Sequence, residues 1–143
     1  MFFPWFQNNK INKIGFEDVL YALSNKDQYL LINTINKDLQ HCLIQNTIPA
    51  EIEEKTINDL MNQSRINMKI IIYGQNSSDE NVDHKYKQLT ELGFREVYIY
   101  GGGLFEWLLL QDIYSEDEFP TTTKVQDFLF YKQRPLFHIP RLK

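Results

Sequence analysis

Lys69-Ile70-Ile71-Ile72-Tyr73 runs directly into Gly74-Gln75-Asn76-Ser77-Ser78-Asp79, and the reading of this junction decides the fold. Three consecutive isoleucines followed by an aromatic are the strongest strand signal in the chain, because β-branched and aromatic side chains suit a pleated, packed surface. The polar loop leads into a helix in which Val82, Tyr86 and Leu89 share one face. Gly93 stands where that helix needs a C-terminal cap. Val97 to Tyr100 is the next strand, and Gly101-Gly102-Gly103 opens a compact apolar helix, Leu104 to Gln111.

Upstream the pattern continues. Pro49 ahead of Glu51, Glu53 and Glu54 marks a helix start, and that helix is expected to reach about Asn62 with Ile52, Ile57, Leu60 and Met61 buried. Tyr29 to Ile35 is a nearly continuous apolar run that suits a buried strand. Cys42-Leu43-Ile44 is a weaker strand-like piece. Phe16, Val19, Leu20 and Leu23 form one helical face ended by Ser24-Asn25. Helices and strands therefore alternate, which predicts an α/β domain: a central, mostly parallel sheet flanked by helices on both faces.

A chain of 143 residues, 43% hydrophobic and 24% charged, holds one domain of ordinary size. The division expected is an N-terminal aromatic extension over residues 1–10, the α/β domain over 11–119, and a basic aromatic tail over 120–143. No stretch approaches the roughly 18 apolar residues of a membrane span. Met1-Phe2-Phe3-Pro4-Trp5-Phe6 has neither a basic start nor a small-residue cleavage site, so no signal peptide and a cytoplasmic location are expected. The single cysteine, Cys42, excludes an internal disulfide framework. With three scattered His residues, no metal or other cofactor is expected.

Net charge is −4, yet the tail carries Lys124, Lys132, Arg134, Arg141 and Lys143 against Asp127 alone. An acidic body argues against nucleic acid as a partner. The tail either touches an acidic partner or folds back over its own domain. Its Phe, Leu and Tyr residues favour folding back. Leu104 to Gln111 is apolar on nearly every side, so the tail or the N-terminal aromatics should cover it; otherwise it, or the tail, offers a homodimer surface.

In an open α/β sheet ligands sit beyond the carboxyl ends of strands, so Gly74 to Asp79 is the place to look for a site. Ser77-Ser78-Asp79-Glu80 fits a capping box for the following helix, which leaves His84 as a solvated helix residue. No Lys or Arg lies between residues 70 and 84 to balance Asp79 and Glu80, so the loop is not expected to hold a small anion.

Five pieces in order resemble a rhodanese-like domain over about residues 11 to 111: Leu-Leu-Ile-Asn-Thr (30–34), Ile-x-x-Thr-Ile-Pro (44–49), Ile-Ile-Ile-Tyr-Gly (70–74), Leu-Gly-Phe (92–94) and Val-Tyr-Ile-Tyr-Gly-Gly-Gly-x-x-x-Trp (97–107). The resemblance implies a rhodanese-like fold. In active members it implies a cysteine at the first position of the loop, which carries sulfur as a persulfide. Here that position is Gly74, and Gln75, Asn76, Ser77, Ser78 and Asp79 supply no thiol. The expectation is a vestigial active-site loop in a pseudoenzyme that serves as a regulatory module for an unidentified protein partner. The rival expectation is a sulfurtransferase that uses Cys42 as a displaced nucleophile. Neighbouring residues on a strand face opposite ways, so His41 would not activate Cys42 there, and burial as a structural residue is the expected state of this thiol.

Overall fold

The computed structural model describes residues 11–137; the N-terminal aromatics and the last six residues lie outside this range. Four strands form one all-parallel sheet in the order β1-β4-β3-β2. They are β1 (Lys13–Ile14), β2 (Tyr29–Asn33), β3 (Lys69–Tyr73) and β4 (Glu96–Tyr100). Four helices connect or follow them: α1 (Phe16–Leu23), α2 (Ala50–Asn62), α3 (Asn81–Glu91) and α4 (Gly103–Ile113).

Alternation along each strand divides the core in two. Leu31, Ile71, Tyr73 and Tyr100 face α1 and α4, where they pack with Val19, Ala22, Leu104, Trp107 and Leu108. Leu30, Ile32, Ile70, Ile72, Val97 and Ile99 face α2 and α3 through Ile57, Leu60, Val82 and Leu89. Residues 70–73 are buried on both sides, so the central strand reads as a continuous apolar run.

Gly93 ends α3 at φ +108. The bonds Phe94 N–H to Leu89 O (3.3 Å) and Gly93 N–H to Thr90 O (3.0 Å) complete a Schellman turn, with Phe94 buried beside Leu89. Three local expectations change. First, β1 has two residues, too few to show a period in the sequence. Second, Cys42 to Ile44 forms no strand: Ile44 makes one antiparallel bridge to Thr121, and Thr47 rather than Cys42 lies against β2 at Leu31. Third, Ile52 is 48% exposed, because the stripe of α2 that faces the domain runs through positions 53, 57 and 60. Glu53 takes the first of these and binds Lys85 of α3 at 2.6 Å.

The tail folds back on the domain. Trp107 Nε1–H donates to Pro120 O (3.1 Å), Thr122 N–H donates to Leu43 O (2.8 Å), and Phe128–Tyr131 forms a 3-10 turn in which Tyr131 is fully buried. Phe128 packs against the cluster that contains Leu104 and Leu108, so the tail provides cover for the apolar helix.

Candidate functional site

Gly74, buried at the end of β3, begins the loop. Its carbonyl accepts from Leu104 N–H and that of Gln75 from Phe105 N–H, both at 2.9 Å. Two amides of the first turn of α4 are thereby engaged by the loop backbone. This contact requires a close approach. Gly103 sits at φ +69, and a Cβ there would lie 2.8 Å from Gly74 O and 3.0 Å from Asn76 N. Gly103 thus serves strand-to-helix packing.

Asp79 turns inward over Gly74. Its Oδ2 accepts from Gln75 N–H (3.1 Å) and Thr34 Oγ1–H (3.2 Å), and its Oδ1 accepts from Asn81 N–H (3.0 Å). A Cβ on Gly74 would fall 2.4 Å from Asp79 Oδ2 and 2.7 Å from Val82 Cγ2. The carboxylate therefore occupies the space directly above the first loop residue. Within the loop, Ser78 N–H also donates to Asn76 Oδ1 (2.9 Å).

The expected capping box is absent. Glu80 occupies the cap position of α3 without a side-chain hydrogen bond, and Ser77 Oγ instead accepts from Gln133 Nε2 of the tail. Asp79 satisfies the Asn81 amide from a different geometry, which frees Ser77 for that contact. His84 is exposed on α3, as expected.

Sequence reasoning missed the tail's part in the site. Asn76 Nδ2–H donates to Tyr131 O at 3.0 Å, and Lys132 and Arg134 line a cleft of about 640 Å³ together with Asn76, Ser78, Asp79 and Glu80. Cations absent between residues 70 and 84 are thus brought to the cleft from more than fifty residues away. Only the unbalanced charge of the tail hinted at it.

Cys42 is not in the loop. It is fully buried, and its thiol points to Thr123 O at 3.4 Å. His41 Nε2 lies 3.4 Å from the Tyr131 hydroxyl. Beside Cys42 in the same cluster, Tyr73 is held by its hydroxyl, which contacts Thr47 Oγ1 at 2.6 Å and accepts from Ile44 N–H at 3.1 Å. Among the described residues no group of three or more His, Cys, Asp or Glu side chains could hold a metal ion, and no helix is long and apolar enough to cross a membrane.

Two tyrosines at the carboxyl end of the sheet are shifted well above their ordinary value of 10.0: Tyr73 by burial, Tyr100 by burial and then by its bond to Glu106 (2.6 Å). A folded-state value above the unfolded one means stability that is fully present below pH 10 and lost as pH rises beyond it. Urea unfolding followed from pH 8 to 11 is expected to show a flat region and then a decline above about pH 10, with a shallower decline in Tyr100→Phe.

A rhodanese-like domain model matches residues 16–110. The chain belongs to the rhodanese-like family. Solved structures agree with it in fold: a rhodanese-like domain from Anabaena sp. superposes with a TM-score of 0.59 at 15% identity, covering 94% of this chain and 96% of that one. The BH2092 protein from Bacillus halodurans gives 0.57 at 17% identity over 74% of this chain and 77% of that one. A thiosulfate sulfurtransferase from Pseudomonas aeruginosa gives 0.55 at 19% identity, over 70% of this chain and 19% of that one. No curated protein matches the sequence.

Proposed function

We propose that this rhodanese-like domain does not transfer sulfur and acts as a protein-binding, regulatory module. One observation carries the reading: the carboxylate of Asp79 fills the space above Gly74, the position that the family resemblance assigns to the nucleophilic cysteine. Persulfide chemistry needs a thiolate whose charge is stabilised by loop amides. Here the Gln75 amide serves a resident carboxylate, and glycine supplies no nucleophile. Cys42 is shielded from solvent and faces a carbonyl oxygen, which offers its thiolate no stabilisation.

The test is a thiosulfate and cyanide assay on the full chain beside Cys42→Ala. Both proteins are expected to form thiocyanate at the protein-free rate. Turnover that disappears in Cys42→Ala, or a persulfide on Cys42 detected by mass spectrometry, overturns the reading and restores a sulfurtransferase with a displaced nucleophile.

A further inference from the structure

A second groove, of about 470 Å³, opens where α4 ends and the tail passes over it. Leu108, Val125 and Phe128, buried or half-buried and packed into the core, give it an apolar floor. Asp112, Glu116 and Asp117 also line it, all exposed, against one cation, Lys124. Lys124 binds Glu116 at 3.4 Å, which leaves Asp112 and Asp117 without an ion pair among the described residues. The last turn of α4 holds no basic residue, so the negative end of the helix dipole adds to these two charges. Tyr114, 60% exposed and packed at 5.9 Å on the buried Phe119, presents a supported ring in the same groove. None of these residues lines the cleft beside the loop, and apart from Leu108 they lie beyond residues 16–110.

We infer that this groove docks a basic segment of a partner protein, one in which lysines or arginines alternate with apolar side chains. The apolar groups cover Leu108, Val125 and Phe128, the cations meet Asp112 and Asp117, and Tyr114 offers its face to one of them. The inference rests on the binding-module reading and names the partner's chemistry. Charge complementarity selects the occupant. Two unpaired carboxylates and a helix carboxyl end attract cations at short range, and the net charge of −4 draws a basic segment in from further away. A metal ion needs several converging oxygens, and no group of three or more His, Cys, Asp or Glu among the described residues could hold one. A linear polyamine would meet the acids but bring no side chain to the apolar floor.

Fluorescein-labelled, amidated Lys-Leu-Lys-Leu-Lys, titrated into the full chain at low salt and read by anisotropy, tests this. Saturable binding is expected, with amide shift changes in ¹H–¹⁵N spectra centred on residues 111–117 and 124–128. Asp112→Lys with Asp117→Lys should weaken it roughly tenfold or more, the loss expected from reversing two partly exposed charge contacts. Glu54→Lys with Glu91→Lys makes the same change in net charge at exposed positions of α2 and α3, and should leave binding within about twofold. Lys-Ser-Lys-Ser-Lys, equally charged but without apolar side chains, should bind more weakly by about fivefold or more. No saturable binding, equal weakening by the two double variants, equal binding of the serine peptide, or equal or tighter binding of spermine overturns the inference. Such a failure leaves the non-catalytic reading standing, whereas thiocyanate formation dependent on Cys42 removes that reading whatever the peptide does.

Discussion

Installing a thiol at the head of the loop, by Gly74→Cys, is expected to destabilise the domain by about 1–3 kcal/mol and to leave thiocyanate formation at the protein-free rate. The new Cβ would meet Asp79 Oδ2 at 2.4 Å, Asp79 Cβ at 2.7 Å and Val82 Cγ2 at 2.7 Å. Val82 is β-branched and stands in the first turn of α3, where one rotamer dominates, so it cannot swing aside cheaply. Asp79 can move only by releasing Thr34, Gln75 and Asn81. Urea unfolding of Gly74→Cys, Asp79→Gly and the double variant measures this as a cycle. The double variant should lose less stability than the two single losses added together, by about 1 kcal/mol, since removing the carboxylate relieves part of the clash. Additive losses would show that Asp79 does not fill this space. Sulfur transfer by the single variant would show that the loop accepts a nucleophile as it stands.

The largest loss is expected from Trp107→Ala, about 3–5 kcal/mol. Trp107 is fully buried and meets two rings edge-on, Tyr100 at 6.2 Å and Phe119 at 5.1 Å between centroids. Phe119 in turn touches Phe16 at 5.7 Å, so one indole joins β4, α1 and the start of the tail. The loss is one of packing. Pro120 O, which accepts the indole N–H, also accepts from Gln45 N–H at 3.1 Å and keeps a partner when the indole is removed. Trp107→Phe should therefore retain a good part of the stability. A loss below about 1 kcal/mol for Trp107→Ala in urea unfolding would mean that the tail repacks freely and does not form an integral wall of the cleft.

Local reading of the chain recovered the elements whose cues lie within a few residues. The Ile70–Ile72 run, the Gly93 stop and the Pro49 start each state their role over a short window, and each stands where expected. Ile52 misled because apolarity alone does not show which stripe of a helix faces inward. The half-buried Glu53–Lys85 pair takes a place on the inward stripe of α2 instead. Ser77 misled because a capping sequence is a local offer, and here a side chain from the tail competes for the same oxygen.

Hydrophobic period, proline, glycine and charge placement were sufficient for an α/β domain with a loop at the end of its central strand, because those signals act through the backbone of neighbouring residues. The state of that loop was settled elsewhere. Thr34 and Asp79 meet across 45 residues, Asn76 and Tyr131 across 55. Contacts of that separation leave no periodic trace in the chain, so only the folded packing reveals a carboxylate seated over Gly74 and two cations of the tail brought to its side.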